Sequence, residues 1–176
     1  MEGSVQFSGL NLASTTPFFL ILLATHILAA LLAIISGLCA MLARKSGLRH
    51  GRAGKSYMIA LLAVFLTACS LAPFRWPADL PLVMVGGGAV LAAGYGFWFR
   101  WKRRAGDVPH IVAMGSSFVL MLTAFYVDNG PHLPLWQLLP SWSFWLIPAA
   151  VGAPFIVRAS IKYQRRPNRQ DSEPGA

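Results

Sequence analysis

Five apolar runs divide this chain, at residues 18–43, 57–74, 82–101, 109–127 and 142–157. A helix needs about 17–25 residues to cross the hydrocarbon core of a bilayer. The first four runs reach that length, and the fifth is the shortest and holds Pro148 and Pro154. Ala, Leu and Gly dominate the runs, and none alternates as a half-buried strand would. Inside lipid the backbone must satisfy its own hydrogen bonds, which a helix does within one segment. Only 12% of the residues are charged, against roughly 25% in soluble domains, so lipid is the expected solvent. The expectation is an all-α, polytopic transmembrane helix bundle of about five spans.

The net charge of +9 would suggest nucleic acid in a soluble protein, but its distribution points elsewhere. Arg44, Lys45, Arg49, Arg52 and Lys55 fall in the first connection, and Arg100, Lys102, Arg103 and Arg104 in the third. Arg158, Lys162, Arg165, Arg166 and Arg169 follow the fifth run, and Arg75 alone lies in an even-numbered connection. Cytoplasmic loops retain Lys and Arg, which orients the chain with its amino terminus outside and its carboxyl terminus in the cytoplasm. The location this implies is the bacterial cytoplasmic (inner) membrane, with the basic face on anionic lipid and no nucleic-acid partner. Residues 1–16 then form a short extracytoplasmic segment, 17–158 the membrane domain and 159–176 a basic, disordered tail. The first residues carry Glu2 and no Lys or Arg, unlike a cleavable signal. Thr16 and Pro17 read as N-cap and first residue of the opening helix.

Small residues recur at helical spacing: Ala30, Ala33, Gly37 and Ala40 below His26, then Gly88, Ala92 and Gly96 flanked by Ala89 and Ala93. Small residues let helix backbones approach in lipid, so close packing is the expected role, with room for a flat cofactor or lipid as the alternative. Pro148, Gly152 and Pro154 predict a kinked or broken fifth helix. The six tryptophans read as interface aromatics. Cys39 and Cys69 fall at different depths, too far apart for a disulfide. No internal repeat stands out in the sequence.

The histidines carry the functional signal. His26 lies about eight residues into its run, about 12 Å deep at ~1.5 Å per residue. Intramembrane ionisable residues are costly and are candidate ligand or proton sites. The structural alternative is a neutral imidazole bonded to Thr67, Thr123 or Tyr126, all at matching depth. His50 and His110 begin the second and fourth spans at the cytoplasmic level, as candidate metal or haem b ligands or as interfacial caps. His132 reads as a loop residue. His26 sits about 25 Å from the cytoplasmic level, so a four-histidine site is excluded. No catalytic motif is present, and none of the six carboxylates falls inside an apolar run. The sequence therefore leans away from an enzyme.

"HGRAGKSYM", with a first-span His above a small-residue stripe, resembles the bacterial membrane proteins of the domain of unknown function 2306 family. "HIVAMGSSFVLMLTAFYVDNG" followed by "WLIPAAVGAPFIV" is similar to that family's last two helices. The likeness covers most of residues 20–158 and marks His26, His50, Arg52, Gly54, His110, Met114 and Asn129, with a departure at Gly51, where a basic residue is common. It implies a multi-helix membrane protein and brings no reaction with it. The function expected is an integral membrane protein of unassigned activity, binding a small molecule or cofactor through its histidines. The alternatives are a b-type haem electron carrier and a non-catalytic accessory subunit. A homo-oligomer or a membrane partner subunit fits either.

Overall fold

The computed structural model describes residues 5–7, 10–12, 16–44, 47–102, 106–134 and 136–164. Five helices fill most of that length: α1 (Pro17–Leu42), α2 (Leu48–Leu71), α3 (Leu80–Trp101), α4 (Val108–Asn129) and α5 (Ser143–Gln164). All five are long and apolar enough to cross a membrane. The three shortest, at 22 residues each, rise about 33 Å, enough for a core about 30 Å thick. Large apolar side chains stay exposed in mid-helix, such as Leu91 (76%) and Phe155 (71%). In water such a surface would be a liability; in lipid it is the expected exterior.

Local chemistry sets the helix ends. Thr16 accepts from the Phe19 N–H at 3.4 Å, with Pro17 at the first helical position, as the sequence predicts. α2 corrects the sequence boundary: it starts at Leu48, nine residues before the apolar run at 57. Arg49, Arg52 and Lys55 therefore ride on helix α2 rather than in a connection. Cations at a helix N-terminus oppose the macrodipole. The buried face of Tyr57, Ala60 and Leu61 anchors this helix instead.

Two further departures concern the ends of the chain. Val5–Phe7 (β1) and Leu10–Leu12 (β2) pair antiparallel, Val5 opposite Leu12 and Phe7 opposite Leu10. The cause is legible: V-Q-F and L-N-L alternate around Ser8–Gly9, a short hairpin signal. α5 runs unbroken through Pro148 and Pro154 to Gln164. Residues 159–164 thus belong to this helix, not to a disordered tail, and 165–176 lie outside the described residues.

The chain divides into two compact units, Met1–Val90 and Leu91–Ala176, with α3 running through the division. In the first, α1 and α2 pair antiparallel in one register. Phe19 of α1 meets Phe74, in the short 3-10 turn just beyond α2, edge-on at 5.0 Å, and seven residues away along the chain from each of them His26 meets Thr67. In the second, α4 and α5 interlock at two glycines. A Cβ on Gly115 would lie 2.7 Å from Ile156 Cγ1, and Gly152 of α5 receives Val119 of α4. Gly152 therefore serves helix packing, and the prolines on either side leave that contact intact. The α3–α4 connection turns through Gly106 at φ +86°, a conformation that favours glycine.

Candidate functional site

His26 is the tenth residue of α1, about 13 Å along the helix from its start. Its Nδ1 lies 2.8 Å from Thr67 Oγ1 on α2. Of the three partners the depth argument allowed, the fold selects Thr67. The Thr67 hydroxyl also lies 2.7 Å from the Ala63 carbonyl and 3.0 Å from that of Val64. Carbonyls only accept, so the single hydroxyl proton goes to its own helix and Thr67 accepts from His26. His26 is thus protonated at Nδ1. In the neutral ring the lone pair is on Nε2.

His50 and His110 repeat this logic at helix ends. His50, third residue of α2, donates from Nδ1 to the Ala40 carbonyl of α1 at 2.8 Å. His110, third residue of α4, donates from Nδ1 to the Gly96 carbonyl of α3, also at 2.8 Å. All three membrane histidines share one tautomer. Metal-bound histidines are held in the same way, with the second ring nitrogen donating to a backbone carbonyl or a carboxylate. His26 and Ala40 are fourteen residues apart on α1, about 21 Å, so the His26 and His50 levels stay separate.

The remaining marked positions fall into distinct roles. One turn on from His50, Gly54 is half-buried, and nothing lies within 4 Å of a Cβ built there. This glycine leaves open space rather than a close contact. Gly96 is the reverse: a Cβ there would lie 3.1 Å from Met114 Sδ and 3.2 Å from the Ala113 Cβ. The buried line of α3 runs through Ala89, Ala93 and Gly96, whereas Gly88 and Ala92 are only half-buried. The buried stripe therefore keeps Gly96 and passes through Ala89 and Ala93 in place of Gly88 and Ala92. Asn129 donates to the Phe125 carbonyl of its own helix at 3.0 Å, and Arg52 is exposed on α2. His132 is exposed in the turn Gly130–His132.

Several residues emerge only in the structure. Tyr57, seven residues after His50, is 2% exposed. The α1–α2 register puts buried Ser36 at the level of Tyr57, ten residues from the His26–Thr67 pair on each helix. The i, i+7 spacing from His50 to Tyr57 is the sequence signal for it. Two acids pair with basic residues. Asp107 Oδ1 meets Arg100 Nη1 at 2.7 Å, and Asp79 Oδ1 lies 3.5 Å from Arg75 Nε. Cys39 and Cys69 are free and exposed.

Among the described residues, no three His, Cys, Asp or Glu side chains gather to hold a metal ion. A metal at any of these histidines would need ligands from water, a porphyrin or a bound molecule. Neither models of protein families, nor curated proteins, nor solved structures match this chain.

Proposed function

We propose that this chain is a multi-pass protein of the bacterial cytoplasmic membrane, related to the domain of unknown function 2306 proteins, that binds a small molecule or cofactor through membrane imidazoles, His26 foremost. The observation that carries this is the His26–Thr67 pair. Thr67 already places its proton on its own helix, so the fold does not need His26 to satisfy it. An imidazole at this depth costs more than a leucine would. What it adds is an imidazole at membrane depth, a group whose chemistry is to ligate and to exchange protons. The role proposed is binding, not catalysis.

The amino terminus is outside and the carboxyl terminus inside. Arg75, the exception in the charge pattern, lies beside Asp79, so the outer connection holds its cation next to a neutralising charge. Arg44, Arg49, Arg52 and Lys55 line the opposite end, toward anionic lipid. A reporter fused after residue 176 should be active in the cytoplasm only, and periplasmic activity would overturn the orientation.

A second reading, haem b binding through His50 or His110, is favoured by their Nδ1-to-carbonyl bonds. The test of both is one preparation of detergent-purified protein, measured by visible absorption before and after reduction and by metal analysis. Sharp bands on reduction, lost in a His50 or His110 variant, support haem. A colourless, metal-free protein that still loses a bound small molecule on His26→Leu supports the first reading. Neither result would leave a non-catalytic accessory subunit.

A further inference from the structure

The first compact unit carries positive charge that nothing inside it answers. Between Glu2 and Asp79 the sequence has no Asp or Glu, and Asp79 lies beside Arg75, beyond the far end of α2. Arg52 and Lys55 of α2 are exposed and meet no carboxylate among the described residues. Their place on the helix is specific. At 3.6 residues per turn, Arg52, Lys55, Ile59, Leu62 and Leu66 follow one stripe, on the side opposite the buried Tyr57. Ile59, Leu62 and Leu66 are all exposed, so this is the stripe α2 turns to lipid. Lys55 comes two residues before the apolar run of 57–74 and Arg52 five, about 3 Å and 7.5 Å along the helix. The headgroup layer on one side of a bilayer is about 5–8 Å thick, so both cations stand within it. One turn before Lys55, Gly51 is exposed, and nothing lies within 4 Å of a Cβ built there. The helix surface beside the two cations is bare.

We propose that this face of α2 holds one anionic glycerophospholipid of the cytoplasmic leaflet, its phosphate between Arg52 and Lys55 beside Gly51 and an acyl chain along Ile59, Leu62 and Leu66. The leaflet rests on the orientation proposed above; the site rests on α2 alone. Two cations that lack a counter-ion in the fold complement the charge of the phosphate. An acidic protein segment would match that charge but not the apolar stripe that continues it into hydrocarbon. Retention of Lys and Arg on the cytoplasmic side depends on how many the connection holds. It does not require two of them three residues apart on the lipid-facing stripe.

The test is native mass spectrometry of the full-length protein in detergent, titrated with phosphatidylglycerol or with phosphatidylcholine of the same acyl chains. Wild type is compared with Arg52→Gln/Lys55→Gln, with Arg158→Gln/Lys162→Gln and with Gly51→Glu. The second pair removes the same charge from exposed positions of α5. Gly51→Glu supplies the missing carboxylate four residues before Lys55. Wild type should prefer phosphatidylglycerol. Arg52→Gln/Lys55→Gln and Gly51→Glu should each weaken its binding by at least about tenfold, and the α5 pair by less than about threefold. All variants should melt no lower than wild type in phosphatidylcholine micelles, because every changed position is exposed and Gln and Glu favour helix. Equal weakening by the α2 and α5 pairs would overturn the site in favour of a diffuse basic face. Equal binding of both lipids by wild type, or displacement of phosphatidylglycerol by inorganic phosphate at the same concentration, would overturn it as a lipid site. Periplasmic activity of a reporter after residue 176 would overturn the orientation and the leaflet with it; the lipid titration does not depend on either.

Discussion

The α1–α2 and α3–α4 hairpins are alike at one end and different in the middle. Each begins its second helix with a histidine at the third position, bonded to a small residue's carbonyl at 2.8 Å. Halfway through the membrane the likeness ends. The first hairpin also carries His26 of α1 against Thr67 of α2, at 2.8 Å. His26 lies about 21 Å along α1 from the level of Ala40, and this separates it from the histidines at the helix ends.

The largest expected effect sharpens that contrast. Thr67→Val leaves the His26 Nδ1–H without its acceptor in an apolar setting, at a cost of about 1–3 kcal/mol. His26→Leu should cost little or nothing, because the Thr67 hydroxyl keeps its carbonyl. The double variant should unfold near wild type. Reversible denaturation in detergent measures all three, and a His26→Leu variant as unstable as Thr67→Val would make the pair purely structural.

Close behind comes the packing of α4 on α5. Gly152→Leu drives a side chain into Val119, an overpacking worth about 1–3 kcal/mol, read as a lower melting temperature. Next is the asymmetry of the histidine bonds. His50→Ala removes the donor from a last-turn carbonyl and should cost about 1 kcal/mol, whereas His110→Ala should cost less. Equal losses would show that the Ala40 carbonyl finds a donor elsewhere. Gly54→Ala gives the smallest change, a gain of up to about 1 kcal/mol from helix propensity, since nothing lies within 4 Å of the new Cβ. Gly54→Leu should remain folded while hindering any ligand at His50.

Much of the fold was legible because lipid imposes a coarse rule: long apolar runs become helices. Thr67 was legible as a His26 partner because depth along two antiparallel helices leaves few polar candidates. The start of α2 was not, because Arg49, Arg52 and Lys55 break the apolar run although their backbone is helical. The α3 stripe was right at Gly96 but one residue off at Gly88 and Ala92, because Gly88, Ala89, Ala92 and Ala93 are all small, and size alone does not select a face. The alternation in V-Q-F and L-N-L was present but short beside the apolar runs.

The most direct measurement is native mass spectrometry of the protein extracted from its own membrane, beside His26→Leu and Thr67→Val. The expected result is a bound non-lipid mass on the wild type that is absent from His26→Leu, with His26→Leu folded as well as wild type. An identical set of bound masses on wild type and His26→Leu would contradict the assignment of His26 as the ligand-binding imidazole.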